Sequence, residues 1–282
     1  MGSADRAQTP GMAPRVCYTP GIGADTPHEG TASQMPELIF IVPAYNEEAS
    51  LPGVVRDLRE HYPAAAIAVV NDGSTDRTAA VARALGVHLL DLPINLGIGG
   101  AVQTGLRFAA RGDYRFTVQF DGDGQHRADQ VAALLAPLRR DECDAVIGSR
   151  FLRRGDYRAP LLRRLGIAVF RAVNSWVIGQ AISDNTSGFR AYNHAACAFL
   201  AQVYPHDYPE PESVVTLARR GFRLREVPVA MRERQGGRSS ITFLRAIYYM
   251  SKVLLAIAVG ATRRTVPRPG AEVDPPARAL PR

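Results

Sequence analysis

Cysteine is scarce in this chain. Cys17, Cys143 and Cys197 are the only three in 282 residues. Odd in number and far apart, they form neither a disulfide framework nor a zinc-ligand spacing, which favours a reducing compartment. Lysine is scarcer still: Lys252 is the only one, so arginine carries nearly all of the positive charge behind a formal net charge of +7. Arginine's planar fork binds phosphate bidentately. A basic chain of this kind suits nucleotides or phospholipids as partners. Nucleic acid is not expected, because no nucleic-acid module is present and the arginines do not interleave with a stacking platform. Long apolar runs are also missing. No stretch offers the roughly 18 uncharged apolar residues of a spanning helix, and the first residues lack the charged-then-apolar pattern of a signal peptide. What remains is ordinary for a globular protein, 46% hydrophobic and 22% charged, enough to bury a substantial core.

Residues 1–35 are rich in Gly, Pro, Thr and Ala without periodicity, and the stretch 263–282 repeats proline. Both read as disordered extensions. Between them the pattern alternates. Leu38–Val42, Ile67–Val70, Val87–Leu90, Tyr114–Phe120 and Ala145–Ile147 are short apolar runs of strand type. Helical spacing follows at Leu51, Val54, Val55 and Leu58, with Ser50 as a candidate cap, and again over Thr78–Leu85, Gly99–Ala110 and Gln130–Arg139. This βαβα order predicts a mostly parallel α/β sheet flanked by helices.

Ligands of such sheets bind outside the carboxyl ends of the strands. Three of those ends carry unusual chemistry. After the first strand comes Pro43-Ala44-Tyr45-Asn46-Glu47-Glu48, after the second Asn71-Asp72-Gly73-Ser74-Thr75-Asp76-Arg77-Thr78, and after the run at 114–120 comes Asp121-Gly122-Asp123-Gly124-Gln125-His126. Each has a plain reading as a turn or a helix cap. Together they suit a nucleotide. Tyr45 offers a ring face, Asp72 can accept from a base N–H, and Glu47 can accept from ribose hydroxyls. Asp121 and Asp123, with the Gln125 amide oxygen, can hold a hard cation that shares the substrate's phosphates.

These three motifs, in this order and spacing, resemble family 2 glycosyltransferases of the GT-A fold, a Rossmann-like architecture, over roughly residues 37–240. Further motifs are similar to the polyprenyl-phosphate subgroup, of the dolichyl-phosphate mannosyltransferase kind: Asp121–His126, Ile147-Gly148-Ser149-Arg150, Asp184–Asn193, and Glu226-Val227-Pro228-Val229 followed by Arg234…Gly237. The resemblance implies that Pro43, Tyr45, Glu47, Val70 and Asp72 hold the nucleoside. It implies that Asp121, Gly122, Asp123 and Gln125 hold Mg²⁺ or Mn²⁺ and the diphosphate, that Arg150 and Arg234 face phosphates, and that Asp184 lies beside the acceptor channel. Asp121, Asp123, Arg150 and Asp184 are thereby the expected catalytic set. One departure stands out. The family often closes its late basic loop with a lysine, where this chain has Arg238-Ser239-Ser240. Arg238 is the candidate to supply that charge.

Other groups stay open. Asn95-Leu96-Gly97-Ile98-Gly99-Gly100 opens a helix and either cradles phosphate through backbone N–H groups or merely packs. His126 either touches the metal site or orients its loop. Glu212, before the expected helix Ser213–Arg220, is a general base or a first-turn acid favoured by the helix dipole. Two basic amphipathic helices are expected at 161–182 and 241–262, able to lie in a membrane interface or to pack on protein.

The expected domain order is an extension (1–35), a GT-A domain (36–240) carrying the inserted interface helix, a C-terminal amphipathic helix (241–262) and a tail (263–282). The expected activity is metal-dependent, inverting transfer of a sugar from a nucleotide-sugar donor to polyprenyl phosphate. It would take place at the inner face of the cell membrane, by a cytoplasmic, peripherally bound enzyme with a small integral-membrane partner. A saccharide hydroxyl acceptor, or non-catalytic binding of a nucleotide sugar, are the alternatives.

Overall fold

A computed structural model of the chain describes residues 17–19, 37–152, 182–206 and 209–232. Eight described strands form one sheet: β1 (Cys17–Thr19), β2 (Leu38–Ala44), β3 (Ala66–Asn71), β4 (His88–Asp91), β5 (Phe116–Gln119), β6 (Ala145–Ser149), β7 (Arg190–Asn193) and β8 (Leu224–Pro228). Their order across the sheet is β1-β4-β3-β2-β5-β7-β6-β8. Parallel pairing runs from β4 through β3 and β2 to β5, and again between β6 and β8. Antiparallel pairing is confined to β1, at the edge, and to β7, between β5 and β6.

Both faces of the sheet are covered, which is why its central strands are apolar throughout rather than alternating. In β2, Leu38, Phe40 and Val42 enter one cluster, with Val54, Leu58, Leu134 and Leu138. Ile39 and Ile41 enter the other, with Val102, Leu106, Leu200 and Val214. The first cluster lies under α1 (Leu51–His61) and α4 (Val131–Arg139), the second under α3 (Gly97–Arg111), α5 (His194–Val203) and α6 (Pro209–Arg219). A short α2 (Thr78–Ala84) follows β3, and one 3₁₀ turn, Ala128–Gln130, leads into α4.

The α/β expectation holds, with adjustments at the ends. The predicted strand at 114–120 is shorter, and α3 begins two residues early, at Gly97. Ser50 does not cap α1 with its side chain. The helix expected from Ser213 begins at Pro209, so Glu212 sits inside its first turn. Residues 17–19, in the expected N-terminal extension, pair with β4. The predicted helices at 161–182 and 241–262, the tail, Arg234 and Arg238 lie outside the described residues, apart from Ile182.

Topology sets the site. β3 and β4 lie to one side of β2 and β5 to the other, so the chain reverses its direction of travel at β2, the kind of switch point where ligands bind. Because β7 runs antiparallel, its incoming segment, 182–189, reaches the same sheet edge as the outgoing ends of β2, β3, β5, β6 and β8.

Candidate active site

The loop after β2 is stitched to the loop after β3. Asn46 adopts a left-handed backbone (φ 55°). Its N–H donates to Ser74 Oγ at 3.0 Å and its Oδ1 accepts from Thr75 N–H at 2.8 Å. Glu47 N–H donates to Thr78 Oγ1 at 2.8 Å, and Glu48 N–H to Asp76 Oδ2 at 3.2 Å. Asp76 also accepts the Thr78 amide at 2.9 Å. Burial works against its charge, but these donors outweigh it and hold the carboxyl below the usual range. Ser50 Oγ lies 2.5 Å from Glu47 Oε2 and 2.8 Å from the Gly122 carbonyl, so the hydroxyl of this N-cap residue ties the first loop to the third instead of bonding its own helix.

Asp72 is almost fully buried, and its Oδ1 accepts from Leu96 N–H at 2.7 Å. Burial pushes its carboxyl up, against hydrogen bonds from the Leu96 and Gly97 amides. Gly73 next to it has φ +63°, and a Cβ there would stand 2.5 Å from Asn95 N. Only glycine fits that approach. The segment from Asn95 into α3 therefore forms a fourth wall. The sequence leaves this segment open between cradling phosphate and packing, and it lines the cleft.

The third loop is built around His126. Its Nδ1 accepts the Asp121 N–H at 2.9 Å, and Nε2 lies 3.4 Å from Asp121 Oδ2. The ring stacks on Phe189 at 4.5 Å and meets Phe120 edge-on at 5.3 Å. Burial pushes its imidazole down to about 4, with Asp123 opposing and Arg150 adding to the shift. His126 thus orients the loop as a neutral ring. Asp123 Oδ1 accepts from Gln125 N–H at 3.0 Å, and the Gln125 carbonyl accepts from Arg232 N–H at 2.8 Å. From β7's incoming segment, Gly188 closes on Asp121: a Cβ there would stand 3.0 Å from Asp121 Oδ2. That segment is shaped by buried Arg190, which donates to the carbonyls of Ser187 and Asn185 at 2.7 and 2.8 Å.

One cleft of about 650 Å³ results, lined by Pro43, Tyr45, Glu47, Asp72, Asp121, Gly122 and Asp123 together with Asn95, Gly97 and Ile98. Val70 is not in its lining. It is fully buried in the core on β3, two residues before Asp72, and backs the wall instead. Arg150 and Asp184 also lie outside the lining, on β6's exit and β7's entry. They pair bidentately, Nε to Oδ2 at 2.7 Å and Nη2 to Oδ1 at 2.8 Å, and Thr186 Oγ1 donates to Oδ1 at 3.1 Å. Asp184's side chain is fully buried while 41% of Arg150's is exposed. Asp184 thus holds the arginine toward solvent. Asp57 and Arg232, which brace these loops, were not singled out from sequence; Glu226 was read there only as part of a family motif, with no role of its own.

The donor set fits a hard divalent cation. The carboxylates of Asp121 and Asp123, both in the cleft lining, are ligands that Mg²⁺ and Mn²⁺ accept; Gln125 lies outside that lining, and glycine at 188 leaves Asp121 room that a side chain would take. Among the described residues no group of three or more His, Cys, Asp or Glu could hold a metal by itself.

The model of "Glycosyl transferase family 2" matches residues 39–199. The polyprenol monophosphomannose synthase of Mycolicibacterium smegmatis is 31% identical over 214 residues, covering 72% of this chain and 80% of that one. The undecaprenyl-phosphate mannosyltransferase of Micrococcus luteus is 32% identical over 221 residues, covering 73% and 87%. Among solved structures, glucosyl-3-phosphoglycerate synthase from Mycobacterium tuberculosis, in complex with Mn²⁺, uridine diphosphate and glucosyl-3-phosphoglycerate, aligns with a TM-score of 0.58 and 20% identity over 80% of each chain. That last likeness is one of fold. With the family model spanning more than half of the chain and the cleft built from that family's three loops, the chain belongs to glycosyl transferase family 2 and is a glycosyltransferase.

Proposed function

We propose that this glycosyltransferase moves a sugar from a nucleotide-sugar donor to polyprenyl phosphate at the cytoplasmic face of the membrane, with Mg²⁺ or Mn²⁺ as cofactor. The observation that carries the reading is the single cleft in which Tyr45, Glu47 and Asp72 share a lining with Asp121 and Asp123. The relatives named for polyprenol and undecaprenyl-phosphate acceptors support the acceptor class, and the neighbour crystallised with Mn²⁺ and uridine diphosphate supports the metal.

In this reading Tyr45 offers its ring to the base, Asp72 accepts from a base N–H and Glu47 from the ribose. Asp121, Asp123 and Gln125 hold the cation, which when bound neutralises charge on the departing nucleoside diphosphate. Arg150, with Arg234 and Arg238, faces phosphates. An acceptor phosphate oxygen forms a bond to the anomeric carbon as the bond to the nucleoside diphosphate breaks on the opposite face, giving inversion. The acceptor is already an anion, so no base has to remove a proton. Asp184, engaged by Arg150 and Thr186, is correspondingly assigned to orientation.

The acceptor's tail stays in the bilayer, so the enzyme has to work at a membrane surface. No helix among the described residues is long and apolar enough to cross one. The net charge of +7 suits an anionic leaflet. The basic amphipathic stretches 161–182 and 241–262 are the proposed contacts, alone or with a small integral-membrane partner. The test pairs a thermal-shift panel of UDP-, GDP- and dTDP-sugars with Mn²⁺, since a ligand selective for the folded state raises its stability, with transfer assays on polyprenyl phosphate and on free saccharides. One donor should stabilise the protein and label only the lipid, and Asp123→Ala should abolish both effects while staying folded. Labelling of saccharides alone overturns the acceptor, and stabilisation by no donor overturns the whole reading.

A further inference from the structure

Glu226 is a charged residue in the middle of a strand, on β8 opposite Ile147 of β6. Among the described residues its side chain accepts three hydrogen bonds, all from the segment that enters β7. Its Oε2 accepts from Ser183 N–H at 2.6 Å, and its Oε1 accepts from Asp184 N–H at 2.7 Å and Ser183 Oγ at 3.0 Å. Ser183 Oγ also lies 2.7 Å from Ser149 Oγ, at the end of β6. One carboxylate thus fixes the backbone at the residue that holds Arg150. From there the contacts run on without a gap: Asp184 accepts the Arg150 backbone N–H at 3.1 Å as well as its Nε and Nη2, and Thr186 Oγ1 accepts from Nη2 at 3.0 Å.

The chemistry explains the need for a carboxylate at 226. Two adjacent backbone N–H groups point at one side chain. A carboxylate accepts both, one on each oxygen, and charge assistance strengthens the bonds. A glutamine could accept only one of them and would aim its NH₂ at the other. The same reasoning holds one step along, where the guanidinium fork meets Asp184 in the planar bidentate geometry that fixes its orientation. Arg150 could not keep that heading if its partner's backbone drifted.

We infer that Glu226 is a positioning residue for Arg150, acting through the Ser183–Asp184 backbone, and that Arg150, paired with the Asp184 expected beside the acceptor channel, is thereby aimed at the acceptor phosphate. This rests on the proposed role of Arg150. Glu226 itself lies outside the cleft and touches no reacting group.

Two measurements test it. The first needs no substrate. In Glu226→Gln, amide hydrogen exchange should quicken at Ser183 and Asp184 and, through the relay, at Arg150, whose N–H donates to the Asp184 carboxylate. Faster exchange at 183 and 184 with Arg150 unchanged overturns the relay. The second is kinetic. Glu226→Gln should raise KM for polyprenyl phosphate on the order of tenfold, the scale of one lost charge-assisted hydrogen bond, and leave KM for the nucleotide sugar unchanged. In the Arg150→Ala background the same substitution should add nothing further. A fall in kcat alone, with both KM values unchanged, means fewer folded molecules and overturns the positioning role, as does an effect that adds in full to that of Arg150→Ala. If the unaltered enzyme does not label polyprenyl phosphate, the functional reading has failed, and the exchange experiment still decides the relay.

Discussion

His126 and Asp121 are bound twice over: the ring accepts the aspartate's backbone N–H at 2.9 Å through Nδ1, and its Nε2 approaches the carboxylate to 3.4 Å. The ring is buried between Phe120 and Phe189. His126→Phe should keep the stack and lose both polar contacts. It leaves a part-buried N–H without its acceptor, which costs about 1–3 kcal/mol. The expected result is a lower melting temperature and a higher Mn²⁺ concentration for half-maximal activity. An unchanged metal-activation curve would show that the ring packs without aiming Asp121.

Gly73 and Gly86 form a natural control pair. Both have positive φ, +63° and +64°, but a Cβ at Gly73 would strike the Asn95 backbone at 2.5 Å, whereas Gly86 faces open space. Alanine at Gly86 should cost only the left-handed strain of about 1 kcal/mol and leave activity intact. Alanine at Gly73 should cost more and push the Asn95 segment out of the cleft, weakening donor binding. Calorimetry and donor titration separate the two. Equal donor affinity in both variants would remove the Asn95 segment from the binding wall.

The parts of this site that could be read from sequence were those where chemistry is concentrated. The loops at 43–48, 71–78 and 121–126 announce themselves through acids and turn residues at strand ends, and they do line one cleft. What was hidden depends on long-range pairing. Nothing local to Ser50 says that its hydroxyl faces Gly122, 72 residues on, rather than the first turn of its own helix. Nothing local to β7 says that it runs antiparallel, yet that reversal is what brings Gly188 to Asp121. Val70 shows the opposite error: a residue carried over with a motif proves to be core.

Asp184 decides between acceptor classes. A hydroxyl acceptor needs a base, and a base that titrates leaves its mark on the pH–rate profile. Here both carboxylate oxygens are engaged by Arg150. Asp184→Asn keeps the shape and one accepting oxygen. Its expected signature is weakened acceptor binding with a pH–rate profile parallel to that of the unaltered enzyme. Loss of a titrating limb from the profile, with acceptor KM unchanged, would instead make Asp184 the base and favour a hydroxyl acceptor.

The opposite side of the metal loop is braced by Asp57 and Arg232. Arg232 Nη1 lies 3.1 Å from Asp57 Oδ2, and the Arg232 N–H donates to the Gln125 carbonyl at 2.8 Å. Asp57 also accepts the Ala128 N–H at 3.3 Å, so helix α1, the metal loop and the exit of β8 meet on one carboxylate. Arg232 is 44% exposed and Asp57 only 13%, which places the pair between a screened surface bridge and a buried one. A coupling of about 1 kcal/mol is the reasonable scale. Arg232→Ala and Asp57→Asn should each loosen the loop through Gln125 and raise the Mn²⁺ requirement while donor binding without metal stays the same. Because the two side chains act as one contact, a double-mutant cycle on stability should show the pair losing less than the sum of its single variants. Strict additivity in that cycle, with Mn²⁺ activation unchanged in both single variants, would mean that the ion pair decorates the surface and that the loop is held by Asp121–His126 alone.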